Sequence, residues 1–420
     1  MRVGAIGFIL VFCAVVPSSV LAHGQAARPD ALRKPPLLPV PSGPYGIGRG
    51  ALEWIDASRP DRFSSAPHAH RRLMVYLWYP TSLKNDNNRG VYLPGAAQMD
   101  ANADAQRSMR DDHGAIWPLI VSAAIHSHAV DDAAVAKQPA KFPVVILSHG
   151  LGGSGFGYTS LIEDLVSHGY VVAAIEHTSV AGAVVFPNGD IVVQHQDQMP
   201  AGLTPDERFK RMAASVTETI TEGAADVRLV LDRLIALDRD AHSPLSGRLD
   251  LPEAAAMGHS AGAEFAARAC QLDARFKACV DLDGGMVPVA ALPDYSDGAT
   301  MKQPLLFLEA WHPESKMFGT PEQHAAYLKK KREQLQTCCL TGSYAVELHS
   351  PGIVHGSFSD DPLLEAGSAS DAGTAQHNLD LIETLVRAFL DQTLQGRSQT
   401  LLHAGNQNQA PEAVIRKIGP

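Results

Sequence analysis

The sequence contains few cysteines, and their spacing argues against a metal or redox centre. Five occur in 420 residues, at Cys13, Cys270, Cys279, Cys338 and Cys339. None forms a Cys-x-x-Cys motif, which is the spacing typical of zinc and thiol-redox sites. We therefore expect no zinc site and no thiol-redox site. For the four cysteines after the N-terminal segment, disulfides and buried free thiols both remain open.

An excess of basic residues is also missing. The chain has 35 Lys and Arg against 45 Asp and Glu, which gives a formal net charge of −10. The one basic run, residues 329–332, falls in an amphipathic stretch and is interpreted as a solvated helix face. Because binding to phosphates requires clustered positive charge, we expect no nucleic-acid partner.

Long hydrophobic runs are absent after the first 22 residues. At the N-terminus, Arg2 precedes an apolar stretch from Val3 to Val16, and Val20-Leu21-Ala22 resembles a small-residue cleavage site. This pattern predicts a signal peptide over residues 1–22 and a secreted or periplasmic protein. An uncleaved N-terminal anchor is the alternative.

From residue 142 onward, apolar runs alternate with helical patterns. The segments PVVILS (143–148) and YVVAAIE (170–176) are typical of strands that are buried on both faces. Regular alternation of such strands with helices predicts the α/β class, with a mostly parallel central sheet flanked by helices.

The remaining segments complete the predicted organisation. Residues 23–394 are expected to form the α/β domain. An Ala-rich stretch at 95–140 is interpreted as an insertion with helical pieces that could border the site as a lid. Residues 395–420 are rich in Gln and Asn and are predicted to be a flexible tail.

A Gly-x-Ser-x-Gly motif at 258–262 marks a candidate nucleophile. It lies between a short apolar run and an Ala-rich helical segment, which is the strand–turn–helix context that this motif requires. The sharp turn would project the Ser260 hydroxyl above the sheet edge, near a helix N-terminus that favours developing negative charge. A tight turn with a structural serine is the alternative.

A serine nucleophile needs a base, and in this type of fold the acid and then the histidine follow the serine along the chain. His355, in the loop after a predicted strand, is the preferred base, and His349 at the end of that strand is its rival. Asp283, which follows the strand 278–282, is one candidate acid. Asp281 and Glu309 remain alternatives.

The segment Ser148-His149-Gly150-Leu151-Gly152-Gly153 follows the first buried strand of the core. In hydrolases such a loop supplies one backbone N–H to the oxyanion, and the residue after the nucleophile supplies the other. We assign these donors to Leu151 and Ala261.

The same stretch matches a dinucleotide-binding pattern. Gly150, Gly152 and Gly155 have the Gly-x-Gly-x-x-Gly spacing, and Glu176 ends the next strand where a ribose-binding acid would stand. An NAD-dependent oxidoreductase is therefore an alternative, although it leaves Ser260 and the acid and histidine candidates unexplained.

Four blocks of the sequence, in this order, resemble the type II platelet-activating-factor acetylhydrolases and their bacterial relatives. They are SHGLGG (148–153) with DLVSHGYVVAAIEH (164–177), GHSAG (258–262), VDLDGGMVP (280–288) and GIVHGSFSD (352–360). The resemblance extends over most of residues 40–392. It implies an α/β-hydrolase fold and a hydrolase of short or oxidised acyl esters that uses no metal and no cofactor. It also implies a triad of Ser260, Asp283 and His355, and it favours Asp283 over Glu309.

Two positions depart from the family pattern. Ala261 replaces a bulky residue after the serine, and Gly285 replaces an aromatic residue. Both changes remove bulk near the site, so the acyl preference stays open.

We expect a serine carboxylic-ester hydrolase that acts on a small-molecule or lipid ester. A hydrolase-fold protein that binds without catalysis is a further alternative. Association with a membrane stays open for a lipid esterase, although no amphipathic anchor indicates it.

Overall fold

Continuous apolar strands form the centre of the sheet, as the sequence predicts. Every residue of the strands Phe142–Ser148 and Val171–Glu176 is buried. In the first of these strands, Val145 and Leu147 face one hydrophobic cluster, whereas Val144 and Ile146 face another. Side chains alternate between the two faces of a strand, so this sheet has a core on each side.

A computed structural model describes residues 36–64, 66–83, 89–195, 199–284, 301–311, 342–402 and 409–418, together with residues 329, 333, 335 and 339. The predicted signal peptide (1–22) lies outside the described residues. Among these residues, no helix combines the length and hydrophobicity required to span a bilayer.

Twelve strands are described, and ten of them form one sheet. The strands are β1 (Gly46–Pro60), β2 (His70–Thr81), β3 (Ala129–Asp131), β4 (Phe142–Ser148), β5 (Val171–Glu176), β6 (Ala183–Val185), β7 (Ile191–Val193), β8 (Leu249–His259), β9 (Phe276–Leu282), β10 (Leu305–Ala310), β11 (Ser343–Leu348) and β12 (Ala413–Ile418). The sheet order is β12-β11-β10-β9-β8-β4-β5-β2-β1-β3. From β5 to β11 all neighbours are parallel, while β2 and β12 add antiparallel partners. The strands β6 and β7 form a separate hairpin.

The helices cover both faces of this sheet. They are α1 (Ala96–Ala101), α2 (Ala103–His113), α3 (Trp117–Val121), α4 (Thr159–Ser167), α5 (Pro205–Arg239), α6 (Ala261–Leu272), α7 (Asp361–Glu365) and α8 (Ala369–Gln395). The helices α5 and α6 pack in one of the two core clusters, and α1 to α4 and α8 pack in the other. A mostly parallel sheet between two helical layers confirms the predicted fold class.

The stretch 95–140 contains the three short helices α1 to α3 and the strand β3. Its side chains Met109 and Trp117 are buried in the same core cluster as Trp78 of β2. The strand β3 pairs with β1 at the edge of the sheet. The stretch is therefore anchored in the domain at several points, and its role as a lid stays a prediction.

The prediction of a flexible tail over 395–420 is wrong for part of that segment. Residues Ala413–Ile418 form β12, which pairs antiparallel with β11 from Ser343↔Ile418 to Leu348↔Ala413. In this strand Ala413 and Ile418 are buried while Arg416 and Lys417 are exposed, a pattern that the Gln- and Asn-rich composition of the segment does not reveal. Pairing with a distant strand, which composition does not reveal, orders this segment.

Two of the cysteines are free thiols. Cys270 of α6 and Cys279 of β9 are both buried and unbridged, whereas Cys339 is disulfide-bonded.

A buried ion pair connects α5 to β2, next to the carboxyl end of β5. Asp226 of α5 is fully buried, and its carboxylate is 2.6 Å from Arg71 and 2.8 Å from Arg59. The same carboxylate is 3.0 Å from Nδ1 of His177, whose Nε2 is 2.9 Å from the hydroxyl of Ser148. Burial opposes ionisation, but Arg71 and the bond with His177 hold the pKa of Asp226 well below its usual range.

Removal of the Asp226 carboxylate by Asp226→Ala is expected to lower the free energy of unfolding by about 3–5 kcal/mol, because Arg71 would remain buried without its main counter-charge. Chemical denaturation would measure this change. The matched control is Asp206→Ala, which breaks an exposed pair with Lys210 (2.9 Å, both side chains 74% exposed) and should change stability little. Equal effects of the two substitutions would contradict a structural role for the buried pair.

Candidate active site

Ser260 occupies a strained turn between β8 and α6. Its backbone has φ 55° and ψ −123°, a conformation that L-residues rarely adopt. The Ser260 N–H donates to the carbonyl of Leu282 at 3.0 Å, and the Ser260 carbonyl accepts from Ala263 at 3.0 Å. The turn is thus fixed by its neighbours on both sides, which is the geometry expected of a nucleophile elbow.

The two glycines of the motif permit this turn. A Cβ on Gly258 would lie 2.1 Å from the carbonyl oxygen of Gly262, and a Cβ on Gly262 would lie 2.3 Å from that of Ser148. Both distances are far below van der Waals contact with rigid backbone. Only glycine fits at either position, so the sequence signal reflects the close approach of three backbone segments.

The ends of neighbouring strands bring the other predicted residues to the same edge. Ser148 of β4 is level with Gly258 of β8, which in turn is level with Asp281 of β9. The loop after β4, the serine after β8 and the acid after β9 therefore emerge side by side. In parallel sheets, ligands bind at this carboxyl edge.

Asp283 and His355 form a direct pair. The Oδ2 of Asp283 is 2.6 Å from Nδ1 of His355. The other carboxylate oxygen accepts from the Ala310 N–H at 3.0 Å, and the Asp283 N–H donates to the Leu308 carbonyl at 2.7 Å. These bonds orient the carboxylate toward the imidazole, whose Nδ1 then carries the proton in the neutral ring.

The rival residues have other partners. Asp281 accepts from the Gly284 N–H at 2.7 Å and shapes the turn after β9. His349 stacks on Trp311, with ring centroids 5.2 Å apart. Glu309 lies within β10, level with Glu347 of β11. Among the contacts of the described residues, the hydrogen bond between a candidate acid and a candidate histidine is that of Asp283 with His355.

The loop 148–153 lies against the serine. A Cβ on Gly150 would be 3.3 Å from the Cβ of Ser260. In this loop the Gly152 N–H donates to Val180 and the Gly153 N–H to the Gly150 carbonyl. Within the described part of the chain, the N–H groups of Leu151 and Ala261 donate to no protein acceptor. Both remain available for a developing oxyanion.

Sequence reasoning missed the side chains that hold this loop. Nδ1 of His149 is 2.7 Å from the Gly150 carbonyl, and Nε2 of His149 accepts from the His177 N–H at 3.2 Å. Burial, and then the neighbouring His177, lower the pKa of His149 to about 3, so the ring stays neutral. Tyr158 hydrogen-bonds to the Gly150 N–H from the other side at 3.2 Å. Tyr158 belongs to no motif, whereas His149 lies within the segment 148–153 and His259 within the Gly-x-Ser-x-Gly motif.

The residues of the dinucleotide pattern do not form a nucleotide site. Glu176 is buried, and its carboxylate accepts from the Gly155 N–H at 2.8 Å and from the Ser154 hydroxyl at 3.1 Å. Burial raises the pKa of Glu176 to about 7. The acid that would bind a ribose instead ties the glycine-rich loop to the end of β5.

A comparison with known families finds one that matches most of the chain. The model of the family described as platelet-activating factor acetylhydrolase, isoform II, matches residues 34–198 and 207–388. The chain belongs to this family. The resemblance predicted from the four sequence blocks is therefore confirmed.

Individual relatives are similar over different lengths. The chain is 27% identical to a platelet-activating factor acetylhydrolase of Canis lupus familiaris over 236 residues, which cover 52% of this chain and about half (48%) of that relative. It is 25% identical to a probable 1-alkyl-2-acetylglycerophosphocholine esterase of Arthroderma benhamiae over 431 residues, covering 96% of this chain and 98% of the relative.

Among solved structures, a ferulic acid esterase from Streptomyces cinnamoneus superimposes with a TM-score of 0.63 at 26% identity, covering 91% of this chain and 99% of that one. Together, the acetylhydrolase family match and this esterase confirm the α/β-hydrolase fold and the class of carboxylic-ester hydrolase. They give no support to the oxidoreductase alternative.

The glycine contacts generate a prediction. Gly258→Ala is expected to abolish ester hydrolysis and reaction of Ser260 with a fluorophosphonate, because the added methyl would collide with the Gly262 carbonyl and displace the turn. Activity, labelling and thermal unfolding should be measured together. The control is Gly373→Ala in α8, where a Cβ meets nothing within 4 Å and function should persist. A fully active Gly258→Ala enzyme would disprove the proposed constraint on the turn.

Proposed function

We propose that the acetylhydrolase-family protein hydrolyses short-acyl carboxylic esters through an acyl-enzyme formed on Ser260. The hydrogen bond of 2.6 Å between Asp283 and His355, at the same sheet edge as the strained Ser260 turn, is the observation that carries this proposal. No metal or cofactor takes part in the proposed chemistry.

In the first half-reaction, His355 accepts the hydroxyl proton of Ser260 while the serine oxygen attacks the ester carbonyl. The Leu151 and Ala261 N–H groups donate to the oxyanion of the tetrahedral intermediate. His355 then delivers its proton to the alkoxide oxygen, so the alcohol leaves and the acyl group remains on Ser260.

In the second half-reaction, His355 removes a proton from water, and the resulting hydroxide attacks the acyl carbonyl. Collapse of this intermediate returns the proton to Ser260 and releases the carboxylic acid. Asp283 keeps Nδ1 of His355 protonated and stabilises the imidazolium form in both halves. The exposed fraction of the His355 side chain, 44%, is consistent with access for substrate and water.

A small-molecule or lipid ester is the proposed substrate. The fungal relative is named for the acetyl ester of an alkyl glycerophosphocholine and the bacterial structure for ferulic acid, so both a lipid acetyl ester and an aromatic ester merit testing. Ala261 leaves more room beside the nucleophile than a bulky residue would, whereas Gly285 lies outside the described residues. On the strength of the pattern in residues 1–22, the protein is further proposed to act in the periplasm or outside the cell.

The acid assignment predicts that Asp283→Asn lowers kcat by about 10³–10⁴-fold, since the amide no longer holds the productive tautomer of His355. Steady-state kinetics on p-nitrophenyl acetate would measure the loss. Glu309→Gln, a matched carboxylate-to-amide change on the next strand, should retain most of the activity. If Asp283→Asn is nearly fully active while Glu309→Gln is inactive, the acid is Glu309 instead.

The substrate class is tested with p-nitrophenyl esters from acetyl to long acyl chains, with Ser260→Ala as the control. Hydrolysis confined to short chains and abolished in Ser260→Ala is expected. A preference for long chains would keep Ser260 as nucleophile but reassign the substrate. Folded protein that neither hydrolyses any ester nor labels with a fluorophosphonate would favour a non-catalytic binding protein.

A further inference from the structure

Tyr158 and His259 connect two loops that meet at Ser260. Tyr158 ends the short 3₁₀ turn before α4 and is buried, with 4% of its surface exposed. Its hydroxyl oxygen is 3.2 Å from the Gly150 nitrogen and 2.7 Å from Nδ1 of His259. Nε2 of His259 is in turn 3.0 Å from the carbonyl oxygen of His355. One chain of hydrogen bonds thus joins two loops. The first is the loop 148–153 that carries Leu151 (the oxyanion loop), and the second is the loop that carries the candidate base His355 (the His355 loop).

The direction of each bond in this chain is determined. A carbonyl can only accept, so Nε2 of His259 must carry the proton that is donated to His355. In the neutral ring Nδ1 is then an acceptor, and the Tyr158 hydroxyl donates to it. The Tyr158 oxygen is left to accept from the Gly150 N–H. Every donor in the chain therefore faces an acceptor.

The surroundings of His259 keep this arrangement in place. Burial, followed by the nearby His355, lowers the pKa of His259 to about 3, so the ring stays neutral wherever an ester hydrolase would be assayed. The ring also lies 4.5 Å from the ring of His355 and 5.7 Å from that of Phe358, measured between centroids. The adjacent Ser260 is thereby flanked by a ring that cannot rotate freely.

We propose that Tyr158 and His259 are positioning residues that set the separation between the oxyanion loop and the His355 loop across Ser260. The inference rests on the proposed function, because the two loops that these residues hold are the loops that the hydrolytic mechanism uses. Neither residue exchanges a proton with the substrate. Each acts through a backbone group, the Gly150 N–H at one end and the His355 carbonyl at the other.

The link to catalysis runs through the peptide plane beside Gly150. The oxyanion donor Leu151 follows Gly150 directly, so a shift of the Gly150 backbone moves the Leu151 N–H. A misplacement of about 1 Å costs on the order of 10²-fold in rate. Loss of the Tyr158 hydroxyl would leave the fold intact but free this backbone to shift.

The first variant is Tyr158→Phe, compared with Tyr170→Phe. Tyr170 is also buried and donates its hydroxyl to Asp391 at 2.7 Å, but it stands at the opposite end of β5 from the site. Titration of Ser260 with a fluorophosphonate counts folded sites, so that kcat on p-nitrophenyl acetate can be expressed per labelled serine. We expect Tyr158→Phe to lower this kcat about 10- to 100-fold with KM little changed, and Tyr170→Phe to leave it at the wild-type value.

The second pair of variants changes His259. His259→Phe keeps the ring but removes both hydrogen bonds, and is expected to lower kcat per site at least as much as Tyr158→Phe. His259→Gln retains an N–H donor for the His355 carbonyl and should recover part of the loss. Because the two residues act in one chain, the double variant Tyr158→Phe/His259→Phe should lose less than the product of the two single losses.

Three outcomes would overturn the inference. They are an unchanged kcat per labelled serine in Tyr158→Phe, equal losses in Tyr158→Phe and Tyr170→Phe, and losses that multiply fully in the double variant. If Tyr158→Phe does not fold, the comparison of His259→Phe with His259→Gln decides, and equal activity of these two variants rejects the role. Failure of the proposed function is recognised separately, since the wild-type protein itself would then neither hydrolyse p-nitrophenyl acetate nor label at Ser260.

Discussion

The first turn of α6 lies directly against the backbone of the oxyanion loop, and the rest of the site depends on this contact. A single hydrogen atom of Gly262 faces the carbonyl oxygens of Ser148 and His149, where a Cβ would lie within 2.4 Å of each. The contact fixes how far the serine turn stands from the loop that carries Leu151, whose N–H is a proposed oxyanion donor. It also explains why the turn accepts the unfavourable φ of Ser260, because two packed backbone segments leave it no room to relax.

The parts of the site that follow from chain order were predictable from the sequence. Ser260, Asp283 and His355 each follow a recognisable apolar strand, and parallel strands deliver their carboxyl ends to one edge. The choice between Asp283 and Glu309 was different, since each was expected to follow a strand and only the family resemblance favoured the first. The bond between Asp283 and His355, which joins residues 72 positions apart, supports the choice of Asp283.

The parts that depend on long-range pairing could not be predicted. Tyr158 meets His259 across 101 positions of sequence, and Arg71 meets Asp226 across 155. Considered alone in the sequence, each of these polar side chains would be interpreted as a surface residue. Glu176 was misleading for the same reason. Its spacing from the glycines fits a ribose-binding acid, yet its side chain is buried and accepts a hydrogen bond from the Gly155 N–H. Spacing along a chain does not specify which way a side chain points.

The strand β12 affects whether two copies of this protein can associate through their sheet edges. It covers β11, whose six residues are all buried and include Tyr344, Ala345 and Val346. Without β12, an apolar strand with unpaired backbone groups would form the rim of the sheet and could template pairing with a second chain. Instead the rim is a strand that exposes Arg416 and Lys417, and neighbouring copies that approach edge to edge would bring like charges together. The strand β12, although its segment has the composition of a flexible tail, thus protects the sheet edge from edge-to-edge aggregation.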